Sequence, residues 1–322
     1  MTEIYHLNQI KQALQQLDPI EAIEQGFIEY SQGKTVVPPV GELLFENPPG
    51  EAHIKYGYIK NDDYYVIKIA SGFPNNYIMN LSPMNGLMLL FSQKTGELIS
   101  ILLDKGYLTN IRTAAAGAVV AKYLAPKIIS KIGIVGTGIQ ARLQLLYLRG
   151  IVDCNEVIVW GRNLENLVQY KKEMEEYGYH ITITQDMDLL TQQCNLIITC
   201  TSAKSPLIKS GSIRNGTHIT ALGSDTVEKQ ELDENILSIA DFVVVDSLSQ
   251  CKSRGEVYQA IKSGVINDDK VENIIELGNL ITDTEWKRKL DDITVADLTG
   301  VAVQDIQITK AVYIILKDLY AN

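Results

Sequence analysis

The sequence predicts an α/β protein, a doubly wound parallel sheet joined to a smaller mixed α+β portion. Three observations carry this. From residue 131 onward, short β-branched runs alternate with polar helical stretches: KIGIV (131–135), EVIVW (156–160), ITIT (181–184), NLIITCT (195–201), HITAL (218–222) and FVVVDS (242–247). Strands buried on both faces read as such continuous apolar runs, and parallel pairing needs helical crossovers between them. A glycine-rich turn directly follows the first of these runs. The preceding hundred or so residues follow a different grammar, and a length of 322 residues suits two domains.

In chain order, Ile10, Leu14, Leu17, Ala22, Ile23 and Phe27 recur at near-helical spacing. Asp18-Pro19 either breaks that run or starts a second helix. Pro38-Pro39 and Pro48-Pro49-Gly50 punctuate the chain. AHIKYGYI (52–59) and YYVIKIAS (64–71), separated by KNDD, read as a hairpin. GLMLLFSQKTGELISILL (86–103) reads as a second hairpin, turning at Lys94-Thr95-Gly96. YLTNIRTAAAGAVVAKYL (107–124) is alanine-rich and predicts one helix. VAVQDIQITKAVYIILKDLY (301–320) repeats apolar residues at helical spacing and is expected to return to the first domain. The expected division is therefore 1–113 with 305–322, enclosing a nucleotide-binding domain at 114–304.

Composition narrows the function. The chain is 46% hydrophobic and 21% charged, ordinary globular usage. Asp and Glu number 39 against 29 Lys and Arg, a formal net charge of −10, which argues against nucleic acid and anionic membrane as partners. No apolar run approaches the ~18–20 residues of a membrane span, and the N-terminus lacks a signal-peptide pattern. Cys154, Cys194, Cys200 and Cys251 are scattered, without CxxC or zinc spacing. A cytoplasmic protein without a metal is expected. G-x-S-x-G, H-E-x-x-H and GxxxxGK[ST] are absent. His6, His53, His180 and His218 lie far apart, and His218, opening a buried strand, reads as structural.

Gly136-Thr137-Gly138-Ile139-Gln140-Ala141 is G-x-G-x-x-A between a predicted strand and helix. Gly136 suits the tight turn, Gly138 the close approach of backbone to a pyrophosphate, and Ala141 close helix–strand packing. The helix N-terminus offers free N–H groups to the phosphates. This is the Rossmann-type dinucleotide turn. The second strand ends at Gly161-Arg162-Asn163 with no carboxylate for a ribose 2′-hydroxyl. Arg162 can accept a 2′-phosphate instead, favouring NADP(H) over NAD(H); alternatively it is a solvated residue and NAD(H) is held by other contacts.

Period-2 alternation puts His53 and Lys55 on one face of their strand. Lys68 sits among apolar neighbours, either as a functional cation or as a snorkelling edge residue. Arg112 heads an almost purely small and apolar helix, as a carboxylate clamp or as the partner of Asp104 or another acid. Together these would form an anion site that the net charge conceals. Asp225 follows the strand HITAL, where ligand chemistry in open α/β sheets concentrates; it could serve a substrate nitrogen or simply cap a turn.

With these residues in view, the chain resembles the ornithine cyclodeaminase/mu-crystallin family, in YYVIKIASGFPNN (64–76), LLDKGYLTNIRTAAAGAVVAKYLAP (102–126), IGIVGTGIQAR (132–142), ITALGSD (219–225), ELDENIL (231–237) and ADLTGVAVQDI (296–306). The resemblance implies a Rossmann domain, a second domain for substrate binding and dimerisation, and a homodimer. It implies that Lys68 touches the substrate carboxylate and helps proton transfer, and that Arg112 clamps the same carboxylate. Asp225 would be the catalytic acid, and Thr113, Thr201 and Gly300 would join the cofactor set. Two departures stand out. Gly41 lies where an arginine is expected, and Lys55 lies near the place of a cyclodeaminase glutamate. A lysine repels the ammonium tail of ornithine and suits a second carboxylate, as in iminosuccinate. The implied activity is NAD(P)H-dependent reduction of a small α-imino acid. The alternatives are ornithine cyclodeaminase and a non-catalytic NADPH-binding, crystallin-like protein.

Overall fold

A computed structural model describes residues 2–320. The chain begins with β1 (Glu3–His6), α1 (Leu7–Leu14), α2 (Pro19–Ser31), β2 (Thr35–Val36), β3 (Gly41–Glu46), β4 (Pro49–Ile59), β5 (Tyr64–Gly72), β6 (Met84–Ser92), β7 (Leu98–Leu103) and α3 (Tyr107–Leu124). It continues through β8 (Ile132–Val135), α4 (Ile139–Tyr147), β9 (Glu156–Trp160), α5 (Leu164–Glu175), β10 (His180–Thr184), α6 (Met187–Gln193), β11 (Leu196–Thr199), β12 (Lys204–Ile208), β13 (His218–Ala221) and β14 (Gln230–Leu232). The remainder is α7 (Asn235–Ile239), β15 (Phe242–Val245), α8 (Leu248–Cys251), α9 (Gly255–Lys262), α10 (Asp268–Glu272), β16 (Ile275–Glu276), α11 (Leu277–Thr282), β17 (Thr294–Asp297) and α12 (Ala302–Tyr320). Two compact units result, one from the residues up to Thr113 with the chain from Val301 onward, the other Ala114–Gly300.

The first unit is built on a sheet ordered β1-β7-β6-β5-β4-β2, with β3 paired to β4. Both expected hairpins form: β4 pairs antiparallel with β5, and β6 with β7. Alternation decides which face is buried. Val66, Lys68, Ala70, Met88, Leu90 and Leu102 point inward, and α12 packs on β4 and β5. The register sets Lys55 directly opposite Lys68 and Lys68 opposite Met88. Two lysines thus occupy adjacent positions on the buried face, where an apolar core would ordinarily continue.

The second unit carries the parallel sheet β10-β9-β8-β11-β13-β17-β15-β16. The order runs one way from β8 through β9 and the other way from β8 through β11, so the topological switch point lies between β8 and β11. Its core is aliphatic on both faces, with Ile158, Ile197, Ile219 and Val245 in one cluster and Ile134, Val159, Leu167 and Ile198 in the other. No described helix is long and apolar enough to cross a membrane.

Candidate functional site

In the first unit the fold gathers three charged side chains that are far apart in sequence. Lys68 on β5 and Arg112 on α3 both reach Asp305 on α12. Lys68 Nζ lies 3.0 Å from Oδ2, and Arg112 Nε lies 3.1 Å from Oδ1. Gln304 Oε1 accepts a further hydrogen bond from Arg112 Nη1 at 3.0 Å. Asp305 is 1% exposed and Lys68 2%, so the group is nearly removed from water. Of the two readings of Arg112, the ion pair is realised, but with Asp305 rather than Asp104. Asp104 is also buried, its Oδ2 accepting from the backbone N–H of Leu108 at 2.7 Å.

The electrostatics follow from this crowding. Burial pushes Lys68 below the usual lysine range; Asp305 and Asp104 pull it back up and Arg112 pushes it further down. Burial pushes the carboxyl of Asp305 up, but Lys68, Arg112 and Lys55 together outweigh burial and hold it below the usual range. Asp104 is raised, chiefly by burial. Two cations that share one carboxylate make a cradle with affinity for a further anion. His53 stands at the edge of this face between two acids, with Nδ1 3.4 Å from Glu42 and Nε2 3.5 Å from Glu51.

In the second unit the strand–turn–helix around Gly136 forms as expected. Gly136 has φ +124°, and a Cβ there would lie 3.2 Å from the carbonyl oxygen of Cys200 and 3.3 Å from the methyl of Thr201. This tight approach brings Thr201 beside the turn. Gly138 precedes α4 as its N-cap without a side-chain cap, and open space surrounds its Cα. No cap side chain competes at the start of α4, where a dinucleotide turn presents its N–H groups, and the exposed Ile139 sits there. Ala141 is fully buried, as close packing demands. Gln140 Oε1 takes a hydrogen bond from Gln144 at 3.2 Å. Arg142 reaches back to the carbonyls of Thr137 and Gly138 and pairs with Glu173, bracing the turn.

A Cβ on Gly161 would meet the Thr137 methyl at 2.9 Å, so the end of β9 abuts the turn. Arg162 there is exposed, its backbone carbonyl accepting from Gln185 at 2.7 Å. The Asn163 side chain caps α5 by accepting from the N–H of Asn166. Thr113 donates its hydroxyl to the carbonyl of Thr109 at 2.8 Å. The N–H of Gly300 donates to Asp246 Oδ2 at 2.6 Å. Within the second unit, the glycine turn with its helix start and the cation at the end of β9 can frame a dinucleotide.

Asp225 belongs to the second unit, in the loop after β13. Its Oδ1 takes the ammonium of Lys229 at 2.7 Å, and its backbone carbonyl accepts from Arg254 Nη1. His218 is buried with its ring nitrogens 2.7 Å from Thr294 Oγ1 and 2.9 Å from Thr220 Oγ1. Burial, then Arg288, pulls its pKa down to about 3. The sequence reading missed two residues. Asp305 carries the cation cluster, and its one sequence signal is a carboxylate inside the apolar helical stretch VAVQDIQI. Glu231 is buried and accepts from Thr199 Oγ1 at 2.7 Å and from the N–H groups of Thr201 at 2.6 Å and Gly223 at 2.9 Å. It ties together the loops that follow β11 and β13. Among the described residues, no group of His, Cys, Asp and Glu could hold a metal ion.

Comparison with known proteins agrees with this architecture. The chain is 37% identical over 302 residues to an uncharacterized cyclodeaminase of Sinorhizobium fredii, covering 92% of this chain and 90% of that one. It is 32% identical over 292 residues to an iminosuccinate reductase of Paracoccus denitrificans, covering 91% and 89%. A solved archaeal alanine dehydrogenase dimer with bound NAD superposes with a TM-score of 0.89 at 32% identity, covering 99% of this chain and 97% of that one. The pattern of the ornithine cyclodeaminase/mu-crystallin family matches residues 2–318, and the chain belongs to that family.

Proposed function

We propose that the protein is an NAD(P)H-dependent oxidoreductase that reduces a small α-imino acid to the amino acid, or runs the reverse reaction. The observation that carries this reading is the buried pair Lys68 and Arg112 sharing the single carboxylate of Asp305. One substrate carboxylate balances that excess positive charge. Arg112 and Lys68 hold the α-carboxylate, which fixes the C=N carbon for hydride transfer, and Asp225 serves the substrate nitrogen once Lys229 yields it. Bound nicotinamide supplies the hydride. Gly136, Thr137, Gly138, Ile139, Gln140 and Ala141 take its pyrophosphate, Thr201 and Gly300 complete the set within the second unit, and the family resemblance adds Thr113. Arg162 and Asn163 meet the adenosine ribose, and the exposed Arg162 favours NADP(H).

Lys55, opposite Lys68, adds a cation suited to a second carboxylate, so a dicarboxylic imine such as iminosuccinate heads the substrate candidates. The iminosuccinate reductase relative supports the same choice. Glu42 and Glu51 beside His53 favour a second reading, an amino acid with a cationic tail, as a cyclodeaminase would take. A homodimer is proposed through the outward face of the first unit's sheet, where Tyr56, Ile67, Leu89 and Ile101 align in register and remain part-exposed. The archaeal alanine dehydrogenase is also a dimer.

The test is oxidation of NADPH and NADH, followed by absorbance. The panel is pyrroline-2-carboxylate, piperideine-2-carboxylate, and ammonia with pyruvate, glyoxylate or oxaloacetate. Ornithine with catalytic NAD is run in parallel for ammonia release. Turnover of one imine establishes the reductase. Ammonia and proline from ornithine without net cofactor consumption establish the cyclodeaminase. Cofactor binding with silence in both assays leaves a binding protein.

A further inference from the structure

We infer that Asp305 is the positioning residue of the carboxylate site: by taking Lys68 on one oxygen and Arg112 on the other, it presents both cations to the substrate as a fixed pair. This deepens the reductase reading and rests on it for the identity of the ligand. The geometry divides the work between the two oxygens. Oδ2 faces the ammonium at 3.0 Å and Oδ1 faces Arg112 Nε at 3.1 Å, so one carboxylate sets the distance between the two cations. Gln304, the adjacent residue on α12, engages Nη1. Of the five N–H donors of a guanidinium, two are committed, and three remain, including both on Nη2. Those suffice for a two-point contact with an incoming carboxylate. The internal acid therefore orients the arginine without exhausting it.

Charge makes the same residue necessary. The groups facing Lys68 are Lys55 from β4, Arg112 from α3, Asp104 from the turn after β7, and Asp305 from α12. Burial and Arg112 favour loss of the Lys68 proton, and Asp305 is the strongest influence opposing them. An amine held neutral would neither bind a carboxylate nor give a proton. Asp305 thus favours the charged form of Lys68 while the site is empty, and the substrate carboxylate joins a pair already assembled.

The experiment compares Asp305→Asn and Asp305→Glu with the full-length wild type. Lys68 is followed by NMR of the protein labelled with 13Cε-lysine, its signal assigned by its loss in Lys68→Met. In Asp305→Asn the titration midpoint of Lys68 is expected to move to lower pH. KM for the imine that the wild type turns over should rise on the order of 100-fold, the scale for breaking a buried charge pair. NADPH binding, assigned chiefly to the glycine turn of the second unit, should not change, and far-UV circular dichroism reports folding. Asp305→Glu, the variant to read if Asn does not fold, should keep the Lys68 midpoint near that of the wild type while raising KM. An unchanged midpoint in Asp305→Asn, or a lowered midpoint in Asp305→Glu, overturns the inference. If the wild type turns over no imine of the panel, the reductase reading fails by itself, and the NMR titration still decides the role of Asp305.

Discussion

At the scale of single residues, the cation pair and the phosphate turn make separable predictions. Lys68→Met and Arg112→Lys should each raise the substrate KM, because each removes a charge or a fork from the carboxylate cradle while leaving the glycine turn intact. A change confined to cofactor affinity would reassign both side chains. Arg162→Ala should weaken NADPH by roughly 10- to 100-fold, the scale of a charge-assisted hydrogen bond, and leave NADH unchanged. Equal loss of both cofactors would place the adenosine end elsewhere. Glu231→Gln replaces one of the two oxygens on which the Thr199 hydroxyl and one N–H from each of two loops converge, and should cost about 1–3 kcal/mol of stability, read by chemical denaturation. The candidates at 68, 112 and 136–141 were legible because each breaks its local pattern. A lysine interrupts an apolar strand, an arginine heads an alanine-rich helix, and glycines follow a buried strand. Asp305 was not legible in that way. Its partners lie about 190 and 240 residues earlier in the chain, and only the tertiary packing of α12 brings them together.

At the scale of elements, periodicity was most informative where burial is two-sided. The parallel strands announce themselves as apolar runs, and all but one of the long ones were readable. The exception, β17, is four residues long, and its sequence TVAD ends in an acid that the strand buries. β3 was hidden for another reason. GELLFE lies between two proline pairs, and its side chains remain largely exposed, so it lacks the alternation that marks a half-buried strand. The outer face of the first unit's sheet makes the prediction proper to this scale. Ile67 pairs with Tyr56 on one side and Leu89 on the other, and Tyr65 stacks on Phe91 with ring centroids 4.7 Å apart. A part-exposed apolar face of this kind is suited to a second copy of the chain. If the proposed dimer forms through this face, Ile67→Glu should give a monomer in light scattering at unchanged secondary structure. A wild type that is monomeric at micromolar concentration would remove this face as an interface.

At the scale of the whole molecule, two buried titrating groups of the second unit act on stability in opposite directions. Burial, aided by Asp246 and Glu231, raises the pKa of Asp297 to about 7, so the folded state binds its proton more tightly than the unfolded chain, and stability falls as pH rises from about 4 to about 7. His218 is depressed to about 3, so its contribution falls as pH drops from about 6.5 to about 3. Across the shared window the two slopes oppose each other, and Glu231 and Glu256, whose carboxyls burial also raises, add to the fall with rising pH. Asp297→Asn should uncover loss of stability on acidification, and His218→Gln loss of stability toward neutrality. Parallel profiles for all three proteins would mean that neither group titrates as described. The discontinuity of the first unit has a consequence for biosynthesis. Lys55, Lys68 and Arg112 leave the ribosome before residues 114–300, and Asp305 after them. At roughly 5–20 residues per second, the nascent cations wait on the order of ten to forty seconds for their internal counter-charge. During that interval the sheet has no α12 to cover its inner face. Translation therefore delivers a finished nucleotide-binding unit tethered to an unfinished partner, whose exposed lysine-bearing face is the stretch a chaperone would have to shield.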